Sequence, residues 1–192
     1  MLLSDRDIKS HVKSGLIVVL PFDENMIQPS SIDVCLDNEF LTFPRGGVID
    51  PASSDTTGTI RHAVDWDDYF LLHPQQVVLA ATVEVVGLSG RIAARLEGKS
   101  SLGRLGLMTH VTAGFIDPGF HGNITLELVN VNNRPIKLYP GMKIGQLCFF
   151  EMSSDVDSLY GSVKYGSHYQ GQTGPVSSRS YENFYRMDNP HD

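Results

Sequence analysis

From residue 69 to residue 151 the sequence is a succession of short apolar runs closed by Gly or Pro. They are 69–72, 77–86, 92–96, 107–111, 124–131 and 143–151. Runs of this length at this spacing read as strands, and so many in series predict a mainly β chain, a barrel or a sandwich. Upstream, residues 4–14 predict a short helix. Ser4 caps it, Asp7 takes the third position, Ile8 and Val12 share a face, and Gly15 stops it. Residues 28–36 turn at Pro29 and then alternate, with Ile32, Val34 and Leu36 opposite Asp33 and Cys35, the pattern of a half-buried strand. Residues 40–43 and 48–49 are further short strand candidates.

Two segments break the pattern. Residues 50–68 are polar and acidic, with Ser53, Ser54, Thr56, Thr57 and Gly58 close together, and read as a long surface excursion. From Ser153 onward the texture is Ser, Gly, Tyr and Gln, the composition of a disordered tail. Yet Tyr160, Tyr165, Tyr169, Tyr181, Phe184 and Tyr185 make it rich in aromatics, which predicts a tail that orders over a ligand or a neighbouring subunit.

The bulk numbers exclude several functions. In 192 residues, 22 acidic side chains outnumber 15 basic ones, for a formal charge of −7. That balance argues against binding a nucleic-acid polymer, but a local cationic cluster can still hold a small anion. Two cysteines, Cys35 and Cys148, cannot build a disulfide framework and point to a reducing cytoplasm. The start, MLLSDRDIKS, lacks the basic-then-apolar pattern of a secretion signal, and no run is long enough to span a membrane.

Chemistry concentrates in residues 95–128, RLEGKSSLGRLGLMTHVTAGFIDPGFHGNITLEL. Gly98-Lys99-Ser100 ends like a phosphate-binding P-loop. However, Ala93 stands where that motif needs its first glycine, and the run lies among short strands. What survives is a tight turn whose N–H groups, with Lys99, Ser100, Ser101 and Arg104, suit phosphate oxygens. Composition does not separate this from a surface hairpin with two solvated cations. Glu127 sits mid-strand, sharing a face with Thr125 and Val129 and opposite Ile124, Leu126 and Leu128. It is either exposed on a wet sheet face or buried as a general acid or base. Asp117, between Gly114-Phe115-Ile116 and Pro118-Gly119, is either a turn aspartate or a carboxylate offered to a sugar hydroxyl or a water. Asp33 carries the same ambiguity. The seven histidines show no H-x-x-x-H or H-E-x-x-H spacing, and the H-x-E…P-C-x-x-C signature of zinc deaminases is absent, so no metal ligands are assigned and zinc is not expected.

The stretch EGKSSLGRLGLMTHVTAGFIDPGFHGNITLEL, with QPSSIDVCL before it and PGMKIGQL and YQGQTGPVSSR after it, resembles the dCTP deaminase family of the trimeric dUTPase-like superfamily. The likeness runs from LLSDRDI to about Phe184 and weakens only in 50–68. It implies a distorted dUTPase-like β-barrel over 1–152, with a short N-terminal helix, and a C-terminal tail over 153–192 that closes over the site. It also implies a homotrimer with sites at subunit interfaces, Mg2+ bound with the triphosphate, and deamination without zinc. By the family pattern Glu127 is the base that activates a water against C4 of cytosine, assisted by Ser100 and Arg104. The turn of Lys99, Ser100, Ser101, Leu102, Gly103 and Arg104 holds the phosphates. Asp117 meets the deoxyribose, and Thr125, Leu126 and Glu127 meet the base. Gln146, Tyr160 and Gln172 complete the pocket, and His168 stands where the family usually has Lys or Arg near the triphosphate.

The family divides into enzymes that release dUTP and enzymes that continue to dUMP. The second branch has a small residue and an aromatic before the Ile-Asp, where Gly114-Phe115 stand here. The resemblance therefore implies conversion of dCTP to dUMP, ammonia and diphosphate, with Asp117 or Glu127 placing the second water. The alternatives are a monofunctional deaminase and a non-catalytic relative that senses dCTP or dTTP. Feedback by dTTP is a family expectation. Cys35 departs from the family, replacing an arginine common in that strand.

Overall fold

The computed structural model describes residues 1–56 and 58–184. Thr57 of the polar loop, Tyr185 of the aromatic tail and His191 lie outside the described residues.

In chain order the elements are α1 (Asp5–Lys13), β1 (Ile17–Leu20), β2 (Ile27–Gln28), β3 (Ser31–Cys35), β4 (Glu39–Thr42), β5 (Ile60–Ala63), β6 (Phe70–Leu72) and β7 (Val77–Leu88). They continue with β8 (Ile92–Gly98), α2 (Ser100–Gly103), β9 (Leu107–Met108), β10 (Phe115–Ile116), β11 (His121–Asn130), β12 (Ile136–Leu138), β13 (Lys143–Glu151) and α3 (Tyr181–Phe184). One antiparallel sheet runs β5-β4-β7-β11-β9, with β1 also on β7, and a second runs β10-β8-β13-β3-β2. Strands β12 and β6 form a separate pair, and a bridge between Leu36 and Thr82 links the two large sheets. The result is the mainly β fold that the strand series predicts, in the form of the distorted barrel that the resemblance implies.

Alternation builds the core. Val78 and Ala80 of β7, Leu96 of β8, Leu126 and Leu128 of β11, and Phe149 of β13 are all buried in one cluster. Truncating such a leucine to alanine costs roughly 2–5 kcal/mol, so β11 is firmly fixed. The N-terminal helix forms as its sequence predicts. The Asp7 N–H donates to Ser4 Oγ at 3.4 Å, Ile8 is buried, and Gly15 ends the helix at φ +75°.

Four expectations need correction. Val48 and Ile49 form no strand and stay exposed, because no neighbour offers them a ladder. The 50–68 excursion is not all loop, since β5 pairs with β4 along Glu39–Thr42. The strand expected over 107–111 stops at Met108, where the Val111 N–H turns to a side-chain acceptor on Glu127 rather than a backbone carbonyl. Strand β3 is buried on both faces at Asp33, which is only 2% exposed. The alternation predicts an outward Asp33, but Lys99 before α2 and Lys143 of β13 cover it. Strands β1, β10 and β12, each two to four residues long, have no counterpart in the sequence reading. Among the described residues no helix is long and apolar enough to cross a membrane.

Candidate active site

Strand β11 carries the first group of site residues. Ile124, Leu126 and Leu128 point into the core, while Thr125, Glu127 and Val129 are half-buried on the opposite face. Its register against β7 jumps between Asn123, opposite Val85, and Thr125, opposite Ala81. Side chains bridge the irregularity. Asn123 Nδ2 donates to the Thr82 carbonyl at 2.9 Å, and the Ile124 N–H donates to Thr82 Oγ1 at 3.0 Å. A break of this kind bends the strand and re-aims the side chains after it, here Thr125 and Glu127.

Glu127 is anchored twice to the segment after β9. Its backbone N–H donates to the Thr109 carbonyl at 3.1 Å, and its Oε2 accepts the Val111 N–H at 2.8 Å. It faces a cavity of about 560 Å³ whose wall includes Phe115, Asp117, Thr125, Tyr160 and Gln172. The loop that brings Phe115 and Asp117 there depends on Gly114. Its carbonyl accepts the Leu96 N–H at 2.7 Å, and a Cβ on it would stand 2.8 Å from the Leu96 carbonyl oxygen. Asp117 is also the turn residue its neighbours predict, its carbonyl accepting the Phe120 N–H at 3.2 Å.

The tail closes the same cavity. The Asn123 N–H donates to the Gln172 carbonyl at 3.0 Å, and Gln172 Nε2 donates back to the Asn123 carbonyl at 2.6 Å. Gly122, at φ +150°, permits this approach, for a Cβ there would lie 2.8 Å from the Gln172 carbonyl oxygen. Gln172 Oε1 is buried without a hydrogen-bond partner among the described residues. The Tyr160 ring packs 5.8 Å from Phe120, its hydroxyl oxygen accepts the Tyr169 N–H at 3.3 Å, and burial pushes the hydroxyl pKa up.

The second group lies elsewhere. Ser100, Ser101, Leu102 and Gly103 form the single helical turn α2, rather than a hairpin, with Lys99 before it and Arg104 after it. Ser100, Ser101 and Arg104 are exposed, and Leu102 packs against the core. Gln146 belongs to this group. Its Oε1 accepts from Ser31 Oγ at 3.1 Å, and its Nε2 donates to the Gly98 carbonyl at 3.4 Å. Residues 99–104, Leu126, Gln146 and His168 are not among those lining the cavity of Glu127. His168 sits in the tail against α3, its Nδ1 2.7 Å from Glu182 Oε2 and its Nε2 2.8 Å from Asn183 Oδ1. Sequence reasoning missed the Val111 N–H and Lys143. The first carries no sequence signal, because it is backbone; the second lies outside the glycine-flanked turn.

A β-barrel with a half-buried carboxylate in a partly aromatic cavity, a tail across it and a separate cationic turn is the frame of a small-anion-binding protein. The chain belongs to the dCTP deaminase-like family, which matches residues 2–152. It is 58% identical over 188 residues to dCTP deaminase, dUMP-forming, of Nocardioides sp., covering 97% of this chain and 98% of that one. It is 57% identical over 190 residues to the protein of the same name from Leifsonia xyli, covering 98% and 94%. Among solved structures it resembles the 2'-deoxycytidine 5'-triphosphate deaminase of Agrobacterium tumefaciens, with a TM-score of 0.61 and 23% identity. That likeness covers 77% of this chain and 47% of that one, and it concerns the fold.

Proposed function

We propose that this chain hydrolyses dCTP with two waters to dUMP, ammonia and diphosphate. The observation that carries the reading is Glu127, half-buried in the cavity with one oxygen bound to Val111, in a chain 58% identical to a dUMP-forming dCTP deaminase. In the first step the Glu127 carboxylate takes a proton from water as the hydroxide adds to C4 of cytosine. It then returns that proton to the amino nitrogen, ammonia leaves, and the proton of the new C4 hydroxyl passes to N3, which gives the C4 carbonyl of uracil. Thr125 and the backbone of Leu126 border the base, Asp117 meets the deoxyribose, and Tyr160 and Gln172 hold the tail over the nucleotide. In the second step a water placed by Asp117 or Glu127 attacks the α-phosphorus and diphosphate departs.

The turn 99–104 binds the triphosphate, and Ser100 and Arg104 support Glu127. Because that turn does not line the cavity of its own chain, the reading requires a second copy to supply it, as in a homotrimer with sites between subunits. Among the described residues no three His, Cys, Asp or Glu side chains converge on a metal position. Mg2+ would accompany the triphosphate and shield its charge there. Residues 1–152 are the barrel and 153–192 its appended tail, a division supported by the end of the family match at residue 152. His168 stands near the triphosphate end of the tail, dTTP acts as a feedback ligand, and the protein works in the cytoplasm.

The test is a time course with dCTP and magnesium, with the nucleotides separated by ion exchange. The expected result is dUMP without accumulating dUTP. Accumulating dUTP would make this a monofunctional deaminase, and binding without product would make it a nucleotide sensor.

A further inference from the structure

Asp33 is a buried carboxylate with two cations. Its Oδ1 accepts from Lys99 Nζ at 2.6 Å and its Oδ2 lies 3.2 Å from Lys143 Nζ, while its own side chain is 2% exposed. Each oxygen thus has its own ammonium group, and the three charges sum to one positive. The lysines come from different places, Lys99 from the N-cap of α2 just after β8 and Lys143 from the start of β13. Gln146, opposite both Asp33 and Glu97 in the sheet, ties the end of β8 down through the Gly98 carbonyl.

A lysine stem is flexible, and holding its tip in place costs entropy. An ammonium has three donors, and Asp33 engages one of those on Lys99. We propose that Asp33 is a positioning residue for the phosphate-binding turn. It fixes Lys99 so that the remaining N–H donors meet the triphosphate, while Lys143 keeps the buried carboxylate paired once Lys99 is shared. Without Lys143, Lys99 would be fully claimed by a buried charge that is costly to leave alone. The inference rests on the proposed function and adds Asp33 and Lys143 to its machinery.

The test uses the full chain and the variants Asp33→Asn, Lys99→Met, their double variant and Lys143→Met. Binding of magnesium tripolyphosphate and of deoxycytidine is measured by calorimetry, and dCTP turnover by product analysis. Asp33→Asn is expected to weaken tripolyphosphate about tenfold and to raise KM for dCTP in step, the size of one charge-assisted hydrogen bond. The turnover number and deoxycytidine affinity stay within about threefold. In the Lys99→Met background the same change adds no more than about twofold, because its target is gone. Equal losses in both backgrounds, an unchanged tripolyphosphate affinity, or an equal loss for deoxycytidine would each overturn the inference. Should Asp33→Asn fail to fold, Lys143→Met decides, since it changes a surface side chain. At least a threefold weaker tripolyphosphate affinity is expected, and unchanged affinity overturns the proposal. Wild-type protein that shows this coupling but makes no product would sink the catalytic reading alone. Turnover with additive losses would sink only this one.

Discussion

The backbone N–H of Val111 donates to the Glu127 carboxylate at 2.8 Å, from a segment whose Thr109 carbonyl already accepts the Glu127 N–H. The carboxylate is thereby held through one oxygen and its main chain through the N–H, with the other oxygen left to accept from a water. A base held this way spends little on reorganisation when a proton moves.

Replacing Glu127 with Gln keeps the shape and the bond from Val111 but removes the proton acceptor. Ammonia release from dCTP should fall ~10²–10⁴-fold, the usual worth of a positioned general base. Calorimetric affinity for dCTP should hardly move. Turnover near the wild-type rate would take Glu127 out of the chemistry.

Gly114 offers a second test. A Cβ there would meet the Leu96 carbonyl oxygen at 2.8 Å, a backbone atom that cannot swing aside. Gly114→Ala should therefore shift the loop and move Phe115, its neighbour on the cavity wall, before anything else. Released dUTP is expected to appear beside dUMP, and product analysis reads the ratio. An unchanged ratio would mean that the second hydrolysis does not depend on this loop.

Much of this was legible in the residues themselves. The strand over 143–151 is found where its alternation predicts it, and Glu127 lies on the face it shares with Thr125 and Val129. Asp33 was not legible. Alternation assigns it to the polar side, and its burial comes from Lys99, 66 positions away, and from Lys143. Val48 and Ile49 look like a strand but lack a partner, while Ile17–Leu20 is short yet pairs along the edge of β7. Nor could spacing show that residues 99–104 lie away from the cavity of Glu127, because that separation is a property of the folded sheets.

The tail closes through a glycine. Gly122 lies at φ +150°, and a Cβ on it would come within 2.8 Å of the Gln172 carbonyl oxygen. Gly122→Ala should push the tail off β11 while leaving the barrel core in place. KM for dCTP should rise about tenfold, as the bound nucleotide must then reorder the tail. Limited proteolysis after residue 153 should quicken as well. A tail as resistant to protease as in the wild type would show that these contacts do not hold it.

Glu84 predicts how stability changes with pH. It is buried at 6% exposure, and burial pushes its carboxyl pKa above the ordinary 4.5. The Cys35 N–H, 3.0 and 3.2 Å from its two oxygens, pulls the other way. Burial, then the charge of Glu84, lifts the Cys35 thiol to about 11, so the thiol stays neutral. With the folded pKa above the unfolded one, the folded state holds its proton more tightly. The stabilisation is therefore fully present below about 4.5 and is lost as pH rises through the raised value. Glu84→Gln cannot ionise, so its advantage in Tm over wild type should be small near pH 4.5 and grow as pH rises towards 8. Cys35→Arg places a guanidinium beside the same carboxylate and should reverse the trend, with a gain at high pH that is lost on acidification. Thermal melts of the three proteins across that range decide the matter. Parallel curves for all three would mean that Glu84 keeps its ordinary pKa in the folded chain.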